Sequence, residues 1–97
     1  LAPVKAVICP LVKKDGLPEK AREIMDILKP HFKVLYDQQG SIGKRYYRQD
    51  EAGTPFGITV DHQSMEDDTV TIRDRDTQEQ TRISSDQILP FILEKMK

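Results

Sequence analysis

Between Gly40 and Asp61 the chain carries its densest set of groups able to do chemistry, in the run GSIGKRYYRQDEAGTPFGITVD. Lys44, Arg45 and Arg48 are cations interleaved with Tyr46 and Tyr47, and the carboxylates Asp50 and Glu51 follow at once. Lysine and arginine can hold phosphates, and a tyrosine ring can stack on an unpaired base. A carboxylate is a poor neighbour for phosphate, but it accepts from an exocyclic amino group such as the N4 donor of cytosine, whose acceptors suit arginine. The same residues also read as a solvated helix face, with Tyr46 in the core and Arg48 paired to Glu51 at i, i+3. Both readings stand on the residues alone.

These side chains need a helix to carry them, and its limits are marked. Ser41 suits the N-cap, Ile42 and Tyr46 make an apolar i, i+4 pair, Gly53 fits the left-handed position past a helix end, and Pro55 blocks continuation. Asp50 and Glu51 then fall in the last turn, where carboxylates oppose the helix dipole. A charge set against local preference suggests a role outside the fold.

The remaining elements follow in order. Val4 to Leu11 is an apolar, β-branched strand buried on both faces, and Lys13-Lys14-Asp15-Gly16 forms the next loop. Lys13 and Lys14 sit where open α/β sheets bind ligands and would add phosphate contacts. Pro18 opens a helix whose stripe is Ala21, Ile24, Met25 and Leu28, and Pro30 ends it near Lys29. Lys33 to Asp37 is a second strand, joined to the first by a right-handed parallel crossover. In the strand Pro55 to Asp61, Phe56, Ile58 and Val60 share one face, with Gly57, Thr59 and Asp61 on the other.

Glu66-Asp67-Asp68 reads as a turn, and Thr69–Arg73 with Glu79–Ile83 as an antiparallel hairpin, Val70 and Ile72 inward. Ser84 and Gln87 resemble a capping box before a final helix with Ile88, Leu89, Ile92 and Met96 inward; Pro90 should bend it or delay its start. The expected fold is a single α/β domain, a mixed five-stranded sheet flanked by three helices.

A wider resemblance now emerges. The GSIGKRYYRQDE run with Pro55-Phe56 and Thr59-Val60-Asp61 resembles the C-terminal anticodon-binding domain of glycyl-tRNA synthetases, class II aminoacyl-tRNA synthetases. The likeness extends to Leu1-Ala2-Pro3, Pro10-Leu11 with Lys13-Lys14, Asp68-Thr69-Val70 and Arg73-Asp74-Arg75-Asp76. It implies a three-layer anticodon-binding domain spanning residues 1–97, part of a longer synthetase that joins glycine to tRNA(Gly). ATP and magnesium would act in that parent's separate catalytic domain, with no cofactor, metal or catalytic site here. The partner would be the anticodon stem–loop of tRNA(Gly), whose anticodon ends in two cytosines. Lys44, Arg45 and Arg48 would hold backbone or base acceptors, Asp50 and Glu51 would accept from amino groups, and Arg73 or Arg75 would close the site. The parent would be a homodimer and the isolated domain a monomer. A different class of function on the same fold is a non-catalytic nucleic-acid or protein-interaction domain, as in polymerase accessory subunits.

Composition narrows the field. Ninety-seven residues make one domain, able to bury roughly 65% of its unfolded surface. The single cysteine allows no internal disulfide, which fits a cytoplasmic location, and no apolar run nears the roughly 20 residues of a membrane span. No signal peptide is expected, and a chain beginning at Leu1 reads as a piece of a longer one. The net charge of −1 conceals asymmetry: residues 1–49 hold ten Lys/Arg against five Asp/Glu, and residues 50–97 hold five against eleven. One face turned to phosphate and another to solvent would produce this, as would charges intermixed in space.

Three further signals fail. A phosphate loop over Gly43-Lys44 needs glycine at position 38 and Ser or Thr at 45, where this chain has Gln38 and Arg45. His31 and His62 lack the spacing of a zinc site. Cys9, near the end of a buried strand, reads as an inert core thiol.

Overall fold

In a computed structural model the described residues are 4–38 and 41–95, apart from the side chains of Ile42 and Asp50. Gly40 of the GSIGKRYYRQDE run, the apolar partner Ile42, the acceptor Asp50 and the inward Met96 therefore lie outside the described residues or side chains. The chain runs β1 (Val4–Pro10), α1 (Leu17–Leu28), β2 (Lys33–Tyr36), α2 (Ile42–Ala52), β3 (Phe56–Val60), α3 (His62–Asp67), β4 (Thr69–Asp74) and β5 (Gln80–Ser84). A 3₁₀ turn, Ser85–Gln87, then leads into α4 (Ile88–Lys95). The sheet order is β2-β1-β3-β4-β5. β1 pairs parallel with β2 and β3, while β3–β4 and β4–β5 are antiparallel, so the sheet is mixed as expected.

Strand alternation divides the sheet into two unlike faces. On one, Ala6 and Ile8, Val34, Phe56, Ile58 and Val60, and Val70 and Ile72 join Ala21, Ile24 and Leu28 of α1 and Ile88 and Ile92 of α4 in a single apolar cluster. Phe56 and Phe91 meet edge to face at 6.4 Å. Each valine, leucine, isoleucine or phenylalanine among them contributes about 1.5–3 kcal/mol by leaving water. The other face carries the odd-numbered residues of β1, β3 and β4, and α2 packs there against β1 and β3.

Two local details differ from expectation and a third agrees with it, each with a physical cause. Residues 62–67 form α3 rather than a turn. Asp61 caps it, accepting from the Ser64 amide at 3.1 Å, while Ser64 Oγ accepts from the Asp61 amide at 3.0 Å. So short a helix leaves no hydrophobic period to read, and its capping box uses serine where glutamate is usual. Ser84 makes no side-chain cap. Instead Ser85 donates from its amide to Asp68 O at 2.8 Å and from Oγ to Asp68 Oδ2 at 2.6 Å, tying the last helix to the end of α3. The α-helix itself begins at Ile88, which puts Pro90 in the first turn, where a missing N–H leaves no helical bond unmade. This is the delayed start that Pro90 requires.

α2 approaches β3 closely enough to dictate a residue. A Cβ added at Gly57 would lie 2.5 Å from Gln49 Oε1 and 3.0 Å from its Cδ. Gln49 cannot simply swing away, because it is buried, donates to Thr54 O at 3.2 Å and accepts from Arg73 Nη1 at 3.3 Å. Gly57→Ala should therefore cost about 1–3 kcal/mol, the usual range for overpacking, with hydrogen-exchange protection lost first in α2. Urea denaturation and exchange together would check both parts.

Asp61 links α3 to the hairpin through Arg82. Partial burial pushes its carboxyl up, but the bonds from Arg82 and Ser64 outweigh that and hold it below the usual carboxylate value. Because the folded value lies below the unfolded one, the stabilisation is complete above about pH 4 and is lost as pH falls through the folded value. Asp61→Asn should be less stable than the parent by a constant amount above about pH 5, with the gap narrowing under acid. Denaturation midpoints across pH would show it.

Candidate nucleic-acid interface

α2 is fixed at both ends by its own sequence. The Lys44 amide donates to Ser41 Oγ at 3.3 Å and the Arg45 amide to Ser41 O at 3.1 Å. At the other end Gly53 takes φ 73°, and the Thr54 amide reaches back to Gln49 O at 3.1 Å, a glycine-closed helix end.

With the helix so placed, its side chains fall into three sectors. Inward, Arg45 and Gln49 are buried, and the Arg45 guanidinium donates to the carbonyl of Pro10 at the end of β1. Tyr46 is half-buried beside them, its hydroxyl 3.2 Å from Thr59 Oγ1 and Arg73 Cζ 4.8 Å from its ring centroid. Toward β2, Arg48 grips Asp37 with two nitrogens: Nε to Oδ2 at 3.1 Å, and Nη2 to Oδ1 at 3.0 Å and to Oδ2 at 2.8 Å. Outward, Lys44, Tyr47 and Glu51 form one exposed stripe at i, i+3 and i+7, and the Tyr47 residue is 66% exposed.

The structure thus separates residues that the sequence groups together. Lys44 and Glu51 face solvent and Arg48 turns toward β2, whereas Arg45 and Arg73 point into the layer between α2 and the sheet. Lys13 and Lys14 are exposed in the loop after β1, at the end of the sheet where α2 begins. Arg75 is at the opposite end. Its amide donates to Pro55 O at 2.9 Å, just before β3, and its Nη1 lies 3.0 Å from Asp76 Oδ1. Arg48 partners Asp37 rather than Glu51, the helical pairing weighed from sequence.

Asp37 is the residue that sequence reasoning missed. It follows β2 directly, its amide donates to Ile8 O at 2.9 Å, and its side chain is only 19% exposed against 45% for Arg48. The available signal was an acid at the carboxyl end of a parallel strand, the usual ligand end of an open α/β sheet. Asp37 and Arg48 border a cavity of about 240 Å³ between α2 and the β1–β2 edge. Val7, Leu35 and Ala52 supply its apolar lining. A flat ring could lie on those residues with its polar edge against the ion pair.

Cys9 is buried in β1, and burial, reinforced by the Asp37 carboxylate, pushes its thiol up to about 11. It is protonated at neutral pH, so it behaves as a small apolar group rather than a nucleophile. His62 Nε2 lies 3.0 Å from Asp15 Oδ2. Among the described residues, no group of three or more His, Cys, Asp or Glu side chains could hold a metal, and no helix is long and apolar enough to cross a membrane.

Comparison with known proteins places the chain in a family. The chain is 60% identical over 97 residues to a glycine–tRNA ligase of Rhodopirellula baltica, covering all of this chain and 18% of that protein. It is 54% identical to a glycine–tRNA ligase of Treponema denticola, again over the whole chain and 22% of the relative. A glycine–tRNA ligase of Methanocaldococcus jannaschii is 47% identical over 98 residues, all of this chain and 17% of the relative. The chain thus spans about a fifth of the length of the curated relatives it matches. A family model described as an anticodon binding domain matches residues 5–95, so with the mixed five-stranded sheet and an open site beside α2 this chain belongs to the anticodon binding domain family.

Proposed function

We propose that the chain is the anticodon-binding domain of a glycine–tRNA ligase and that it holds the anticodon stem–loop of tRNA(Gly) against α2. The observation that carries this reading is the cavity bounded by Asp37 and Arg48 beside the exposed Lys44–Tyr47–Glu51 stripe. Unpaired RNA bases are recognised when they are splayed out, stacked on an aromatic ring and hydrogen-bonded at their edges, and this surface offers each of those contacts. Lys13, Lys14 and Lys44 hold phosphates at the end of the sheet where α2 begins, and Tyr47 offers its ring for stacking. Arg48 and Glu51 meet base edges. Arg75, beyond Pro55, extends the surface along the other end.

Arg45 and Arg73 serve this surface from beneath. Both are buried, and they fix the helix that carries the outer residues. Joining glycine to tRNA with ATP and magnesium falls to another part of the parent protein, which acts as a cytoplasmic homodimer. The contribution of this chain is recognition. A polymerase accessory subunit on the same fold is the less favoured reading, because the similar proteins named above are all ligases.

Titration of the full-length protein with anticodon stem–loops ending in CC or UU tests the proposal. Each base change should weaken binding by about 1–3 kcal/mol, the worth of a good base contact. Lys44→Ala should weaken both loops alike and lower the salt dependence by about one phosphate contact. Equal affinity of the unaltered protein for CC and UU would remove the reading role.

A further inference from the structure

We infer that His62 is a positioning residue: from α3 it holds the loop after β1 so that Lys13 and Lys14 stand where they meet RNA phosphates. This inference rests on the anticodon-binding reading above, and it gives α3 a part in that reading.

The loop reverses on two successive residues in the left-handed region, Asp15 at φ 63° and Gly16 at φ 80°. Glycine takes that conformation freely and aspartate less readily, so a contact that holds the aspartate also holds the turn. His62 Nε2 makes that contact, 3.0 Å from Asp15 Oδ2. An ionised carboxylate only accepts, so the imidazole donates from Nε2. Met65, one helical turn further along α3, lies against the next residue: a Cβ added at Gly16 would be 3.2 Å from Met65 Cε. The Leu17 amide donates to Lys14 O at 3.2 Å, which ties the second lysine to the same turn.

α3 can act as a brace because it is fixed at both ends. At its start Asp61 forms the capping box and takes a bond from Arg82 of β5. At its end Asp68 accepts from Ser85 Oγ at 2.6 Å and pairs with Lys20 of α1. His62 is the first residue of the helix, directly after the cap, so its backbone shares that anchorage. Lys13 and Lys14 enter no ion pair among the described residues, which leaves the direction of their stems to the loop backbone.

Exposure separates this role from a structural one. The His62 and Asp15 side chains are 57% and 54% exposed, and exposed pairs add little to global stability. What the contact sets is where two cations stand relative to a charged backbone.

The test is a mutant cycle in the full-length protein, read by titration with the anticodon stem–loop ending in CC at several salt concentrations. His62→Ala should weaken binding about three- to tenfold and lower the salt dependence by about one phosphate contact, with the thermal unfolding midpoint unchanged. His62→Gln, whose amide nitrogen can donate from nearly the same place, should bind close to the unaltered level. With Lys13→Ala and Lys14→Ala both in place, His62→Ala should have no further effect, because the residues it positions are gone. Equal loss in both backgrounds, no loss in the unaltered background, or a loss in His62→Gln as large as in His62→Ala would overturn the inference. So would unchanged binding when both lysines are replaced. Each of those outcomes leaves the anticodon-binding reading intact, whereas no binding of the stem–loop by the unaltered protein would overturn both.

Discussion

The structure depends on a buried polar layer between α2 and the sheet. Arg45 bonds to the Pro10 carbonyl, Gln49 bridges Thr54 O and Arg73, and Arg73 lies over the Tyr46 ring. Burying guanidinium groups is costly unless their donors find partners, and among the described residues no buried side-chain nitrogen or oxygen lacks one. A satisfied polar layer is directional in a way that an apolar one is not. It sets the rotation of α2 about its axis as well as its distance from the strands. That rotation decides that Lys44, Tyr47 and Glu51 face outward and Arg48 faces β2.

The cavity follows from how little of the sheet one helix can cover. Five strands about 4.8 Å apart span roughly 19 Å, while a helix with its side chains is about 10–12 Å across. α2 packs over β1 and β3, so the β2 edge on that face stays open. Leu35 is exposed and Asp37 borders the gap for this reason. On the opposite face, α1 and α4 share the apolar core and make the stability that the α2 face does not have to supply. One side of the sheet holds the domain together and the other leaves its β2 edge open.

Much of this was legible in the sequence because the physics is local. Apolar β-branched runs mark β1 and β4, a 3.6-residue stripe marks α1, and Ser41 with Gly53 marks the limits of α2. What could not be read was the direction of each arginine. Arg45 and Gln49 stand four apart on the inward face of α2, yet both are polar, so a hydrophobicity pattern assigns them to solvent. Their burial becomes apparent only once Pro10, Gly57 and Arg73 are brought beneath them by three different strands. Asp37 was hidden for the same reason. Eleven residues separate it from Arg48, and only the docking of α2 beside β2 makes them a pair.

The charge asymmetry between the two halves of the sequence takes a different form in space. Lys20 pairs with Asp68 and Arg82 with Asp61, so several basic residues of one element are neutralised by acids of another. Lys13, Lys14 and Lys44 enter no ion pair among the described residues. Their field reaches a phosphate backbone from about a Debye length, roughly 8–10 Å at physiological salt, and it is blind to sequence. The Asp37–Arg48 pair is nearly neutral at that distance and acts only on contact. A net charge of −1 is compatible with a phosphate-facing surface, because the exposed lysines stand apart from the paired acids.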